Sequence, residues 1–291
     1  MIAVFLFYDS GRGKGMRGGN RRMWWRVVWA VSLMMALSAC GDDDQPLVES
    51  DPDNARPDCR ECQILFIGSS YLSYYGNDLV DIFNAFAAEA GKPVYAEKRS
   101  IGGYRLYRHI ASEGTLAKIR ERNWDYIILQ GNAAFLSREE WHPMIIPYLI
   151  EFRQIIKENN PQTCVIYMMP WAYKNGLLSI PGGEMDYQEM QTALYNETIR
   201  VVNENDIATA PVGWAWYTAI VNGYEGDLYL TDNNHQSASG AYLAASVFYS
   251  TIFQEEAPDI PFSWGEGDNP PYLRAIADSL VRNFPDLWNL Y

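Results

Sequence analysis

The chain predicts an α/β fold, a parallel sheet of about five strands covered by helices on both faces. Two observations predict it. From residue 63 onward, short apolar runs bounded by turn residues alternate with longer helical patterns. The first run, 63–67, is also almost wholly apolar, which is how a strand buried on both faces reads, where a strand with one wet face would alternate. No internal repeat or low-complexity tract interrupts this order beyond the N-terminal region.

Taken in order, residues 63–67 form the first strand, broken by Gly68-Ser69-Ser70. A glycine and two small hydroxyl residues let the chain turn at the strand's carboxyl end, the edge where open α/β sheets place their sites. A helix is expected over 77–90 and a second strand over 93–97, leading to Ser100-Ile101-Gly102-Gly103. A helix over 105–122 follows. The strand 125–129 runs into Gln130-Gly131-Asn132, and the next helix spans 143–158. The fourth strand, 163–169, holds Cys164, expected as a buried thiol. Residues 174–186, with Gly176, Pro181, Gly182 and Gly183, read as a long loop on the same rim and as the determinant of substrate choice. A helix over 187–205, a fifth strand over 207–211 and helices over 240–253 and 272–283 complete the domain.

The N-terminus carries an address. Arg21, Arg22 and Arg26 precede the apolar run 27–37, which ends in Leu37-Ser38-Ala39-Cys40. The run is too short to span a bilayer and has the layout of a signal peptide, with Met16 or Met23 as an alternative start. The Leu-Ser-Ala-Cys sequence resembles a bacterial lipobox, which implies lipidation of Cys40 and an anchor in place of a membrane span. Three segments result: a signal peptide over 1–39, an acidic tether over 40–58 and a catalytic domain over 59–291. The acidic residues after Cys40 leave periplasmic retention and surface display both open.

Composition narrows the partners. The chain has 23 Lys+Arg against 36 Asp+Glu, a formal charge of −13; cleavage before Cys40 removes six basic residues and one acidic one, giving −18. That balance argues against nucleic acid and anionic lipid as partners. Cys59 and Cys62 precede the first strand, the wrong place for a thioredoxin-like redox pair, and can form a local disulfide in an oxidising compartment. One such pair makes no zinc site, and the three histidines show no metal-binding spacing, so neither metal nor cofactor is expected.

The chemistry rests on Ser70 with Asp232 and His235. A serine hydroxyl needs an adjacent base, itself oriented by a third group. Asp232 and His235, three residues apart in the turn-prone stretch Asp232-Asn-Asn-His235-Gln-Ser-Ala-Ser-Gly240, can both face one point. His109 and His142 fall at helices and read as structural or pocket-edge residues.

At these residues the chain resembles the SGNH, or GDSL-like, hydrolases, whose nucleophile follows the first strand and whose Asp-x-x-His lies near the C-terminus. The resemblance covers roughly residues 63–253. It implies a three-layer α/β/α sandwich and acyl transfer. The family's Gly-Asp-Ser or Gly-Asn-Ser element matches Gly68-Ser69-Ser70, with Ser69 in the Asp/Asn position. Its second block matches Gly103, with Gly102 possible, and its third, usually Gly-x-Asn-Asp, is replaced by Gln130-Gly131-Asn132. The implied oxyanion hole combines the N–H groups of Ser70 and Gly103 with a side-chain amide, Asn132 or Gln130.

Trp171, Tyr173 and Trp214 follow the last two strands and are expected at the rim as substrate-binding rings, against the simpler reading that such rings are core. The leading expectation is an extracytoplasmic serine esterase removing small acyl groups, acetyl-like, from carbohydrate. The alternatives are a lipase or thioesterase and a catalytically inactive glycan-binding lipoprotein on the same fold. A Ser70–His235 contact within about 3.2 Å favours catalysis over the inactive reading.

Overall fold

A computed structural model describes residues 57, 59, 61–178, 184–262, 265 and 267–290. The signal segment 1–39 and Cys40 lie outside the described residues, as does the tether but for Pro57, and Pro181, Gly182 and Gly183 of the rim loop. The chain divides into two units, 1–49 and 50–291, and everything below concerns the second.

Five parallel strands form the sheet: β1 (Cys62–Gly68), β4 (Val94–Ser100), β5 (Tyr126–Gln130), β6 (Cys164–Met168) and β7 (Ala208–Ala210), in the order β4-β1-β5-β6-β7. The chain steps outward from β1 to β4, then reverses to β5, so the switch point lies between β1 and β5. The expected fold class is the observed one. Ile64, Leu65, Phe66 and Ile67 of β1 are fully buried, which is why the run has no polar alternation. Phe66 meets Phe83 and Phe248 edge-on at 5.8 and 5.2 Å, tying β1 to the helices α1 (Leu79–Glu89) and α8 (Ala238–Phe253). Burying a side chain of this size stabilises the fold by about 1.5–3 kcal/mol.

Helix ends follow side-chain chemistry. Asp78 caps α1 by accepting from the Val80 and Asp81 N–H groups. Asp186 and Glu189 form a reciprocal capping box at the start of α6 (Tyr187–Glu204), and Ser237 caps α8 through the Gly240 N–H.

Four departures from the sequence reading matter for the site. The expected helix 105–122 is two, α2 (Leu106–Ile110) and α3 (Glu113–Arg120), because Ser112 takes an extended backbone and starts a new helix. Residues 139–144 form a tight 3₁₀ segment containing Pro143, so α5 (Ile146–Asn159) begins later than expected. Residues after Ser70 form a two-stranded hairpin, β2 (Ser73–Tyr74) and β3 (Asn77–Asp78), turned by Tyr75 and Gly76, both at positive φ. Short α4 (Ala133–Leu136), ten-residue α7 (Val212–Val221) and a 3₁₀ turn (Pro285–Trp288) are further elements the pattern does not reveal, while α9 (Pro270–Arg282) matches the expected helix over 272–283.

Candidate active site

The site begins at the carboxyl end of β1. A side chain at Gly68 would lie 2.7 Å from Gln130 Oε1 and 2.8 Å from Gln130 Cβ, so only glycine lets Gln130 close over the turn. Gln130 Oε1 accepts from the Ser69 N–H at 2.7 Å and the Ser69 hydroxyl at 2.9 Å, and its amide nitrogen donates to Gly131 O. The Ser69 carbonyl accepts from Leu72 N–H and from the Ser100 hydroxyl. Ser69 is thus fixed inside the turn, and Ser70 is the serine that faces out of it.

From below, buried His109 holds the same turn. Its Nε2–H donates to Gly68 O at 3.0 Å and its Nδ1 accepts from the Thr115 hydroxyl at 3.1 Å. Burial, aided by the Arg99 charge, lowers its pKa to about 4 despite the Gly68 carbonyl, so it stands neutral.

Ser70 meets its partners across the molecule. The Ser70 hydroxyl donates to His235 Nε2 at 2.8 Å, and His235 Nδ1–H donates to Asp232 Oδ2 at 2.7 Å. The other Asp232 oxygen accepts from the backbone N–H groups of Asn234 and His235. Partial burial pushes the Asp232 carboxyl up, but these contacts, led by the His235 N–H, outweigh it and hold the pKa below the usual carboxylate value. An ionised Asp232 fixes the imidazole tautomer that offers Nε2 to the serine.

The base loop is itself braced. Leu230 N–H donates to His235 O and Ser237 N–H to Leu228 O, closing a narrow turn in which Asn233 takes a left-handed backbone. Trp171 Nε1–H donates to Asn234 O at 2.9 Å, and Tyr71 donates its hydroxyl to Asn234 Oδ1. The amide of buried Gln236 bonds Ser70 O and Asn77 O, clamping nucleophile loop, hairpin and base loop together. Tyr74, on the hairpin, stacks flat on the His235 ring at 3.7 Å.

The candidate oxyanion donors lie on this edge. Gly68 pairs with Ser100 across β1 and β4, and Ile67 with Leu129 across β1 and β5, so the loops after all three strands emerge level. Gly103, with φ +71°, occupies the third position of a turn closed by Tyr104 N–H on Ile101 O. Asn132 Oδ1 accepts from Phe135 N–H as the cap of α4, which fixes the amide orientation and leaves Nδ2 as the free donor end.

Three expected roles are corrected. Gln130, proposed as an alternative oxyanion donor, has its oxygen on Ser69 and its nitrogen on Gly131 O, and braces the turn instead. Trp171, expected as a substrate ring, is fully buried between Tyr71 and Trp216, at ring distances of 4.5 and 4.3 Å. Trp214 stacks on Tyr195 and Tyr217 where α6 and α7 pack, because residues after β7 wind into a helix and not a rim loop. Tyr173 sets its hydroxyl against Tyr71 and the Ala134 backbone, beside the residues that brace the base loop. His142 lies at the edge of an open depression also lined by Ser137 and Glu197, away from the triad.

Comparison with known proteins follows the fold. No family model and no curated sequence matches the chain. Solved structures do. A protein of the DUF4886 family from Bacteroides uniformis shares 19% identity over 78% of this chain and 96% of its own, with a TM-score of 0.61. A protein from Slackia heliotrinireducens assigned as an SGNH hydrolase shares 18% identity over 66% of this chain and 99% of its own, at 0.55. The chain has the SGNH-hydrolase fold. The acetylxylan esterase Axe2 from Geobacillus stearothermophilus shares that fold at 15% identity and a TM-score of 0.51, over 68% of this chain and 97% of its own.

Sequence reasoning missed Tyr71, Tyr74, Asn234 and Gln236 as parts of this SGNH-fold site. The only signal was adjacency: two flank or neighbour His235, and two follow Ser70 within four residues.

Proposed function

We propose that the protein is a serine esterase that hydrolyses small acyl esters, acetyl-like, on carbohydrate. The observation that carries this reading is the continuous chain from Ser70 through His235 to Asp232, at 2.8 and 2.7 Å. In the reaction the Ser70 oxygen attacks the ester carbonyl as its proton passes to His235 Nε2. The tetrahedral oxyanion meets the N–H groups of Ser70 and Gly103 and the Asn132 amide. His235 then protonates the departing alcohol, leaving an acyl-serine. Water, deprotonated by His235, attacks that ester; the carboxylic acid leaves and Ser70 regains its proton.

The 2.8 Å Ser70–His235 contact supports catalysis over an inactive binding module. The carbohydrate half rests on rings at the mouth: Tyr173, and Tyr75 at the hairpin tip, 85% exposed and edge-on to Tyr74. The proposed address is extracytoplasmic, by a lipid on Cys40 and either periplasmic or at the cell surface; the Cys59–Cys62 disulfide fits an oxidising compartment.

The test is hydrolysis of p-nitrophenyl acetate by the wild type, Ser70→Ala and His235→Ala under identical conditions. Activity is expected in the wild type and a loss of at least about 10³-fold in each variant. An inactive wild type, or variants that keep their rate, would overturn the esterase. Acetylated oligosaccharides set against longer acyl chains then separate the carbohydrate reading from a lipase or thioesterase.

A further inference from the structure

In an acidic chain most cations find a carboxylate. Among the described residues Lys92, Lys98, Lys118, Arg153, Lys174 and Arg274 each have one within 4.0 Å. Three of the exceptions, Arg99, Arg105 and Arg108, fall within ten residues that bracket the Gly102-Gly103 turn. Arg99 is accounted for by its bond to Thr115, which holds His109. Arg108 and Arg105 bear on the Tyr107 hydroxyl and lower its pKa, but among the described residues neither has a carboxylate to balance its charge.

Arg105 lies two residues beyond Gly103, its guanidinium 4.3 Å from the centre of the Phe135 ring. Phe135 is the residue whose N–H Asn132 caps, so Arg105 bridges the two loops that carry the candidate oxyanion donors. Its charge also bears on the Tyr173 hydroxyl, countering the rise that burial imposes there. A guanidinium over a ring has five N–H donors; the Tyr107 hydroxyl engages Arg105 on one side, and the remaining donors keep the planar fork that grips a carboxylate. Arg108, exposed, sits 5.9 Å from both the Tyr104 and Tyr107 rings and adds a second positive charge. With a formal charge of −13 the molecule repels anions as a whole, so an anionic substrate needs local cations of this kind.

We propose that Arg105, supported by Arg108, is a subsite for a carboxylate on the alcohol half of the substrate, so that the ester is one carried by an acidic sugar. The inference rests on the esterase reading and deepens it.

Two esters differing in one charge test it: an O-acetylated methyl glucuronoside and its neutral methyl ester. The wild type is expected to favour the acid at least about tenfold in kcat/KM, as one charge-assisted bond of this kind provides. That ratio falls to near one in Arg105→Met, is intermediate in Arg105→Lys and is unchanged in Arg120→Met, an exposed arginine on α3. A wild-type ratio of one or less, a ratio that survives Arg105→Met, or an equal fall in Arg120→Met would overturn the subsite. Preference for an acetylated sugar phosphate over the glucuronoside would overturn the carboxylate assignment. If the enzyme cleaves neither ester, the esterase reading fails separately. The subsite is then decided by calorimetry of the deacetylated glucuronoside and its methyl ester with Ser70→Ala: tighter binding of the acid, lost when Arg105→Met is added, upholds it, and equal binding overturns it.

Discussion

Ser70 owes its setting to its neighbours more than to its own side chain. The turn is held from the side by Gln130, from beneath by His109 and from above by Gln236, so the hydroxyl meets the base already oriented. Asn132 has a comparable dual character, its oxygen fixing α4 and its nitrogen facing outward. Asn132→Ala is expected to lower kcat roughly 10²–10³-fold with little change in KM for p-nitrophenyl acetate. Asn132→Asp, which keeps the cap but removes the donor, should lose as much, separating the hole from helix stability. His109 gives a pH signature. Its folded pKa, about 4, lies below the ordinary 6.5, so between those values the unfolded chain binds a proton that the folded chain does not. Stability is therefore full above about pH 6.5 and falls as the pH drops towards 4. Thermal melting against pH should show that slope in the wild type and a shallower one in His109→Gln, which can still donate to Gly68 O. Ser70, Asp232 and His235 were legible in the sequence because a Gly-x-Ser after the first strand and a late Asp-x-x-His match the order of the SGNH hydrolases. The role of Gln130 was not, since it depends on which strands become neighbours in the sheet.

At the scale of elements, the hairpin after Ser70 concentrates what the periodicity concealed. Two-residue strands leave no alternation to detect, and the turn uses Tyr75-Gly76 where Asn-Gly would announce it. Tyr75 holds a φ of +47°, a conformation unfavourable for an aromatic residue, with its ring in solvent. Tyr75→Asn should therefore stabilise the fold by up to about 1 kcal/mol, read as a higher denaturant midpoint at unchanged slope. A lower midpoint would mean that the contact with Tyr74 outweighs the strain. The long elements behaved differently. All five strands and the helices over α1, α5, α6, α8 and α9 were legible within a few residues, because each of these helices buries a continuous face and four of the five strands are buried along nearly their whole length. α7 escaped because it is apolar nearly all round, with Trp216 buried and Trp214 packed, and so shows no stripe.

For the whole molecule, the second unit contains every residue of the candidate site, which predicts division of labour along the chain. A chain of residues 59–291 is expected to hydrolyse p-nitrophenyl acetate at the full-length rate, and labelled palmitate to enter the full-length protein in bacterial cells but not Cys40→Ser. Label retained in Cys40→Ser would remove the lipid anchor from the proposal; loss of hydrolysis in the shorter chain would show that residues before Cys59 support the site. The five-strand sheet was readable because β1, β5, β6 and β7 are buried along nearly their whole length, while the edge strand β4, which has no buried residue, was marked by its place between two helical patterns. The reversal that puts the switch point between β1 and β5 was not, since strand order leaves no local trace.

The Ser70–His235 bond joins residues 165 positions apart. A ribosome adding about 5–20 residues per second makes the nucleophile roughly 8–33 s before its base. Through that interval Ser70 is an ordinary alcohol, since the imidazole that takes its proton in the fold has yet to be made. Reactivity is therefore switched on only once His235 has been made, and a chain terminated before it is chemically silent.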